Sequence, residues 1–421
     1  MRYIHIIGGG TFFHVRPHLA LSAPAFGSTA RQLKKLCDSQ FDSNYWTNLH
    51  LTRMAGGNGN LETNEHVGYL LENLIGDRET KIIFMSVALC DFEGFPIISS
   101  CANPAELQPA GKQFERLKTN YDIAGLEVAA LRLKPAEKLI RKIRETRKDI
   151  FLVGFKTTTG ATPDQQFEAG LRLLKQSSCN LVLANDLHTR LNMIITPEQA
   201  RYAMGRPRLD VLDELVDMTR RRSCLRFTRT KLTEGKPFDF ASSSVPSPLR
   251  EAVEHCVSRG AYRPFLGKTV GHFAVRIDDQ HFLTSIRGSD FNRIRDVGMV
   301  HVEAVNDHEI IAYGAKPSVG GQSQRIIFRE HPETDSIVHF HCQIKSSSEV
   351  PVRSQREYEC GSHECGQNTS SGLKKFGKIW AVMLDRHGPN IVFNSKETSG
   401  AEVIEFIEQH FDLTRQTSEI E

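Results

Sequence analysis

The chain reads as an α/β protein: an N-terminal Rossmann-like domain with a parallel sheet, followed by a separate C-terminal α/β/α domain. Three observations predict this. In the first half, short apolar stretches alternate with amphipathic ones, the pattern of strand–helix–strand units. Near the middle, basic Arg220-Arg221-Arg222 gives way to a stretch rich in Gly, Ser and Pro. The length of 421 residues, at about 150 per domain, gives two to three domains.

In chain order, residues 3–7 form a short apolar strand ending in a Gly8-Gly9-Gly10-Thr11 turn. Residues 81–88, 150–155 and 181–184 are further strands. Residues 164–176 place Phe167, Leu171 and Leu174 at helical spacing. Residues 134–147 set Leu139, Ile140 and Ile143 among basic residues as an amphipathic helix. The domains are expected at 1–225 and 246–421, with a linker at 226–245. The second opens on a helix at 249–259 and continues through strands at 271–277, 281–284, 298–305, 310–313, 336–341 and 380–384. A helix at 399–410 follows, and the polar stretch 346–371 is expected to be a loop long enough to carry function. No fixed-period repeat is visible.

Composition excludes several classes. Hydrophobic residues at 39% and charged residues at 24% can bury sizeable cores, unlike a disordered chain. A net charge of +3 gives no bulk attraction for nucleic acid. The longest largely apolar run, 82–90, is too short for a bilayer and contains Ser86. The N-terminus reads as a strand, not a signal peptide. Nine cysteines, odd and dilute, do not make a secreted disulfide framework. The expectation is a cytoplasmic protein acting on a small-molecule substrate, without nucleic-acid or membrane partners.

The sharpest chemical signal is Val338-His339-Phe340-His341. Residues two apart on a strand share a face, so both imidazoles can grip one metal ion. A third imidazole would leave the open fourth position of catalytic zinc, and His387, before a Gly turn, is the candidate. The other reading of this spacing is a half-exposed strand whose histidines are hydrogen-bonded.

The surrounding residues resemble the class II aldolase/adducin family from about 248 to 412. Gly271-His272-Phe273-Ala274-Val275-Arg276 is similar to its Gly-Asn-x-Ser-x-Arg strand. Phe282-Leu283-Thr284-Ser285-Ile286-Arg287-Gly288 is similar to its Thr-Pro-x-Gly turn, and Lys316-Pro317-Ser318 to its Pro-Ser pair. Glu330-His331-Pro332-Glu333 leads to the HxH strand, and His387-Gly388 matches a late His-Gly. The resemblance implies Zn2+ on His339, His341 and His387. It implies a phosphate or carboxylate pocket from Thr284, Ser285, Gly288 and Ser318, and a homo-oligomer. The acid/base Glu of the family's aldolases is missing from Val319-Gly320-Gly321-Gln322-Ser323. His272, Gln322, His363 and Glu364 are the candidates for the proton-moving group. Cys360, His363 and Cys365 form a second metal site, a gating loop or a plain surface loop.

Three strand ends in the first half are similar to those of phosphopantothenoylcysteine synthetase, over about residues 1–195. They are Val87-Ala88-Leu89-Cys90-Asp91, Val153-Gly154-Phe155 and Ala184-Asn185-Asp186. The resemblance implies a nucleotide pocket for CTP or ATP with contacts from Asp91, Lys118, Phe155 and Asn185. The Gly run adds backbone contacts from Gly9 and Gly10. The family's Asn tied to acyl-nucleotide chemistry is absent from residues 21–27, and its lysine pair is reduced to Arg172 and Lys175.

The function expected is therefore a two-domain zinc enzyme. Its metal would act on a phosphorylated or nucleotide-linked carbonyl or hydroxy substrate as a lyase, epimerase or dehydratase. The alternatives are a nucleotide-triphosphate-dependent carboxylate–amine ligase and a non-catalytic adducin-like assembly protein.

Overall fold

The computed structural model describes residues 1–100, 103–116 and 130–419. Two compact units emerge: Met1–Met193 with Ala203–Ser223, and Ile194–Tyr202 with Cys224–Glu421. Among the described residues, no helix is long and apolar enough to cross a membrane.

In the first unit, five parallel strands run in the order Leu181–Asp186, Phe151–Thr158, Thr80–Ala88, Arg2–Gly10, Tyr45–Leu51. Their centres are fully buried at Ile4, Ile6, Ile83, Leu152 and Leu183, as helices on both faces require. The helix Pro163–Ser177 starts at a Thr162/Gln165 capping box with Pro163 in its first turn, and buries Phe167, Leu171 and Leu174. The helices Ser28–Gln40, Asn64–Gly76 and Arg208–Arg222 were not anticipated, nor was the strand Tyr45–Leu51.

Two expectations need correction. The glycines do not form a turn after residue 7. The strand runs to Gly10 because Gly8, Gly9 and Gly10 pair with Ser86, Val87 and Ala88. The helix expected at 134–147 is confined to Ile140–Thr146. Ala130–Pro135 instead pairs antiparallel with Phe92–Ser100, and Pro135 cannot continue a helical hydrogen-bond ladder.

The second unit is built on one sheet, mostly antiparallel, with helices on both faces. Its strands run Arg229–Thr233, Glu309–Tyr313, Met299–Ala304, His281–Ser285, His272–Arg276, Ser336–His339, Gly388–Phe393, Ile379–Leu384, Val352–Arg353. Alternation along the strands sorts the side chains. Phe273, Leu283, Val338 and Ile391 pack with Leu249, Val253 and Cys256 of the helix Ser247–Ser258 and with Val403 and Ile407 of Gly400–His410. Ala274, Phe282, Ile337 and Val392 face Ile327 and Phe328 of Gln322–Glu330. The segment read as a linker holds the strand Arg229–Thr233, paired parallel with Glu309–Tyr313, and the buried Phe240 and Val245. Its Gly, Ser and Pro mark turns within the domain. The stretch 346–371 is not a plain loop, since the helix His363–Gly372 begins in it under a Ser362 cap.

One buried group in the first sheet makes stability depend on pH. His5 lies with Nδ1 3.0 Å from His50 Nε2 and Nε2 3.2 Å from Thr80 Oγ1. Burial first, and His50 second, push its pKa down from 6.5 to about 4. The unfolded imidazole therefore takes up a proton below pH 6.5 that the folded one refuses until about pH 4. His5 thus favours the folded state fully above pH 6.5, and this contribution falls by up to about 1.4 kcal/mol per pH unit on acidification. Urea unfolding at pH 7, 6 and 5 should show the slope, and His5→Gln should flatten it.

Candidate metal centre

The site is assembled by backbone register. His339 ends the strand Ser336–His339, opposite His272 on one neighbouring strand and Asn390 on the other. His341 follows two residues later. His387 sits in the turn between Ile379–Leu384 and Gly388–Phe393. Two glycines permit this closeness. A Cβ on Gly388, at φ +143°, would stand 2.0 Å from the Phe340 carbonyl oxygen, between the two HxH histidines. A Cβ on Gly271, at φ +112°, would stand 2.6 Å from the His339 carbonyl oxygen.

Among the described residues, one group of three or more His, Cys, Asp or Glu side chains converges on a common point: His339, His341 and His387. Their ligand atoms lie within 4.8 Å of one another, and all three residues are buried. His339 Nδ1 donates to the Pro389 carbonyl at 2.6 Å, because a carbonyl can only accept. That fixes the tautomer. Nε2 keeps its lone pair, and it is buried without a partner. Burial first, then the neighbouring His272, His387 and His341, hold the His339 pKa well below 6.5. Three imidazoles in this arrangement fit a divalent cation of borderline softness.

His272 stands at the edge of the trio. Its ring centre is 4.7 Å from that of His339, it is 3% exposed, and neither ring nitrogen has a partner. Burial and His387 lower its pKa to about 3. Asn390, which sequence reasoning missed, is buried opposite His339 with Oδ1 unpartnered. No spacing marks it; only pairing across strands brings it to His339.

The other proposed catalytic groups form a separate network. Gln322 Nε2 donates to His363 Nδ1 at 3.2 Å, and His363 Nε2 donates to Thr228 Oγ1 at 3.1 Å. The Thr228 hydroxyl donates back to Gln322 Oε1, closing a ring. Glu364 accepts from Arg226 Nε at 2.8 Å and from the Arg226 backbone N–H at 3.1 Å. Burial raises its pKa, but these bonds hold it below the usual carboxylate range. Cys365 Sγ meets Gln355 Nε2 at 3.4 Å while His363 points to Gln322 and Thr228, so Cys360, His363 and Cys365 do not gather as ligands.

The hydroxyls read as an anion pocket are mostly engaged within the fold. Thr284 Oγ1 donates to the Phe273 carbonyl at 3.1 Å, and Ser318 Oγ to the Gly271 carbonyl at 3.1 Å. Thr284 shares a face with His272, because Ala274 pairs with Thr284; Ser285, one residue on, faces the opposite core. Gly288 turns at φ +75° beside the Lys268 side chain.

In the first unit, Phe155 and Asn185 lie near the C-terminal ends of adjacent parallel strands, where such sheets bind ligands. Thr157 Oγ1 donates to Asn185 Oδ1 at 3.3 Å. Asp91 is exposed just past the next strand and pairs with Lys138 at 2.5 Å. Lys118 lies outside the described residues. Gly9 and Gly10 offer no open cradle. A Cβ there would meet Thr52 Oγ1 and the Ala23 carbonyl at 2.1 and 2.0 Å, so the fold itself fills the space. Sequence reasoning also passed over Asp186, a loop organiser. Its carboxylate accepts from the backbone N–H groups of Gly160, Ala161, His188 and Thr189 and from Thr158 Oγ1. Burial opposes its charge, yet these bonds hold its pKa well below the usual range.

Residues 256–397 match the class II aldolase and adducin N-terminal domain family. That match lies inside the stretch whose motifs carry the resemblance read from the sequence. Over 70 residues the chain is 31% identical to the coenzyme A biosynthesis bifunctional protein CoaBC of Thermococcus kodakarensis, covering 17% of this chain and 17% of that protein. The DNA/pantothenate metabolism flavoprotein from Streptococcus pneumoniae is similar at 17% identity over 52% of this chain and 97% of that one, with a TM-score of 0.41. An L-fuculose 1-phosphate aldolase is similar at 18% identity over 40% of this chain and 84% of that one, with a TM-score of 0.29.

The glycine constraint is testable. Gly388→Ala should lower the melting temperature and weaken cobalt binding at least tenfold, because His387 is the preceding residue. Gly377→Ala is the control: it also has positive φ, at +60°, but open space around its Cβ position. It should leave cobalt binding unchanged in the same titration.

Proposed function

We propose that the second unit is a zinc enzyme domain of class II aldolase type. It acts on a carbonyl or hydroxy-carbonyl small molecule by lyase, epimerase or dehydratase chemistry. The observation that carries this reading is the buried convergence of His339, His341 and His387, with His339 locked by Pro389 so that Nε2 is presented. A bound zinc ion supplies Lewis-acid polarisation of an oxygen on the reactant. His339, His341 and His387 would hold it and leave one position open.

The protein's own groups then divide the work. His272 has one N–H and one lone pair in either neutral tautomer and no partner for either nitrogen, so it is the group assigned to hydrogen-bond the reactant. It replaces the carboxylate missing after Pro317-Ser318, because Gln322 and His363 are committed to Thr228 and Glu364 to Arg226. A phosphate or carboxylate on the substrate would meet the Gly288 turn and Lys268. The first unit would bind a nucleotide triphosphate at Asp91, Phe155 and Asn185.

Elemental analysis of purified protein should find about one zinc per chain in the wild type and less than a tenth of that in His339→Ala or His387→Ala. A metal-free wild type that stays empty after zinc is supplied would sink the reading. His272→Ala should retain zinc but bind a hydroxamate, a mimic of an enediolate, about tenfold more weakly in calorimetry, since one hydrogen bond in a buried site is lost. For the first unit, CTP or ATP should raise the melting temperature of the wild type, and Asn185→Ala should abolish the shift. No shift with either nucleotide would refute nucleotide binding.

A further inference from the structure

The segment after the helix Gly400–His410 lies beyond the residues that match the family model, which end at 397. Its strand, Phe411–Gln416, pairs antiparallel with Cys342–Ile344, the short strand that directly follows His341. At the end of this pairing the chain turns toward the imidazole trio. The Thr417 backbone N–H donates to the His341 carbonyl at 3.0 Å, and Thr417 Oγ1 donates to the His387 carbonyl at 3.3 Å. One residue thus joins the main chains of two ligand residues that are 46 positions apart in sequence (387 − 341).

The segment is held firmly enough to impose that spacing. Gln416 is buried, and its Nε2 donates to the Ala261 carbonyl at 3.3 Å and meets Cys342 Sγ at 3.4 Å. Gln343 Nε2 donates to the Gln416 carbonyl at 3.2 Å. Arg263 pairs with Glu419 and donates to the Thr414 carbonyl, clasping the chain on both sides of Thr417.

We propose that Thr417 is a positioning residue of the metal centre, fixing the main chains of His341 and His387 so that their rings converge before a cation arrives. The proposal rests on the metal reading above. The physical reason lies in where the bonds fall. A bond to a residue's own carbonyl restrains rotation about its Cα–C bond and so limits movement of the adjoining Cα and ring. His339 is restrained by its ring bond to Pro389 and by the sheet, whereas His341 lies past the end of its strand and His387 lies in a turn. These two are the ligands whose main chains need an outside anchor. Preorganised ligands lose less freedom on binding, and outer partners of metal ligands typically account for about 10–100-fold in affinity.

Thr417→Val keeps the side-chain volume and the backbone N–H bond to His341 and removes only the hydroxyl bond to His387. Thr417→Ser restores the hydroxyl. The test is a cobalt titration of the metal-free protein of residues 1–421, reading the visible d–d absorption band, with thermal unfolding of each metal-free variant alongside. The expected result is about tenfold weaker cobalt binding and an altered band in Thr417→Val, recovery to within about threefold of wild type in Thr417→Ser, and metal-free melting temperatures unchanged. Equal cobalt affinity in wild type and Thr417→Val overturns the positioning role while leaving the site intact. Weakening that Thr417→Ser does not rescue, or that accompanies a lowered metal-free melting temperature, overturns it in favour of a general structural role. A wild type that binds no cobalt overturns the metal reading itself, and the Thr417 proposal with it.

Discussion

The second unit depends on how closely three backbones approach one another at the end of the strand Ser336–His339. The pairing of His339 with His272 on one side and Asn390 on the other sets polar side chains beside Ala274, Phe282, Ile337 and Val392 on one face of the sheet. Gly271 and Gly388 allow it, since any side chain at either position would run into the carbonyls of His339 or Phe340. The cost is four imidazoles buried close together, with both ring nitrogens of His272 and the Nε2 of His339 unpartnered. Burial drives His339 and His272 neutral, and a neutral ring is the form that ligates a metal.

Several polar groups elsewhere in this unit close on one another. Gln322, His363 and Thr228 form a ring of hydrogen bonds, and Glu364 is taken by Arg226. Satisfied networks of this kind stiffen a fold and have nothing left for a ligand. Against them, His272 and the Nε2 of His339 are buried and unpartnered where the imidazoles gather. In the first unit both strand-end carboxylates are engaged. Asp186 uses its carboxylate to organise the loops at the strand ends, whereas the Asp91 side chain is exposed beside Lys138.

Much of the architecture was legible in the sequence. The strands around residues 81–88, 150–155, 181–184 and 272–276 carry continuous apolar runs, and the helix Pro163–Ser177 carries both a capping box and a helical period. The helices Ser28–Gln40 and Arg208–Arg222 were missed because polar and charged residues dominate their composition. The glycine run misled because a Gly-rich segment between two paired parallel strands gives the same local signal as a turn. The strand Gly388–Phe393 was hidden by its opening Gly-Pro-Asn, which reads as a turn until pairing on both sides is known.

For the site, the sequence by itself supplied the donor types: His339 and His341 two residues apart, and His387 before a glycine. Strand alternation does not account for the pair, because the strand expected over 336–341 ends at His339 and His341 lies beyond it. Tertiary structure alone decided that His387 reaches the pair, that His272 and Asn390 flank it, that Ser285 faces away, and that Thr417 bonds to two ligand backbones. Each of these follows from register between strands distant in the chain. Shifting that register by one residue turns every side chain to the other face without changing a letter of the local sequence.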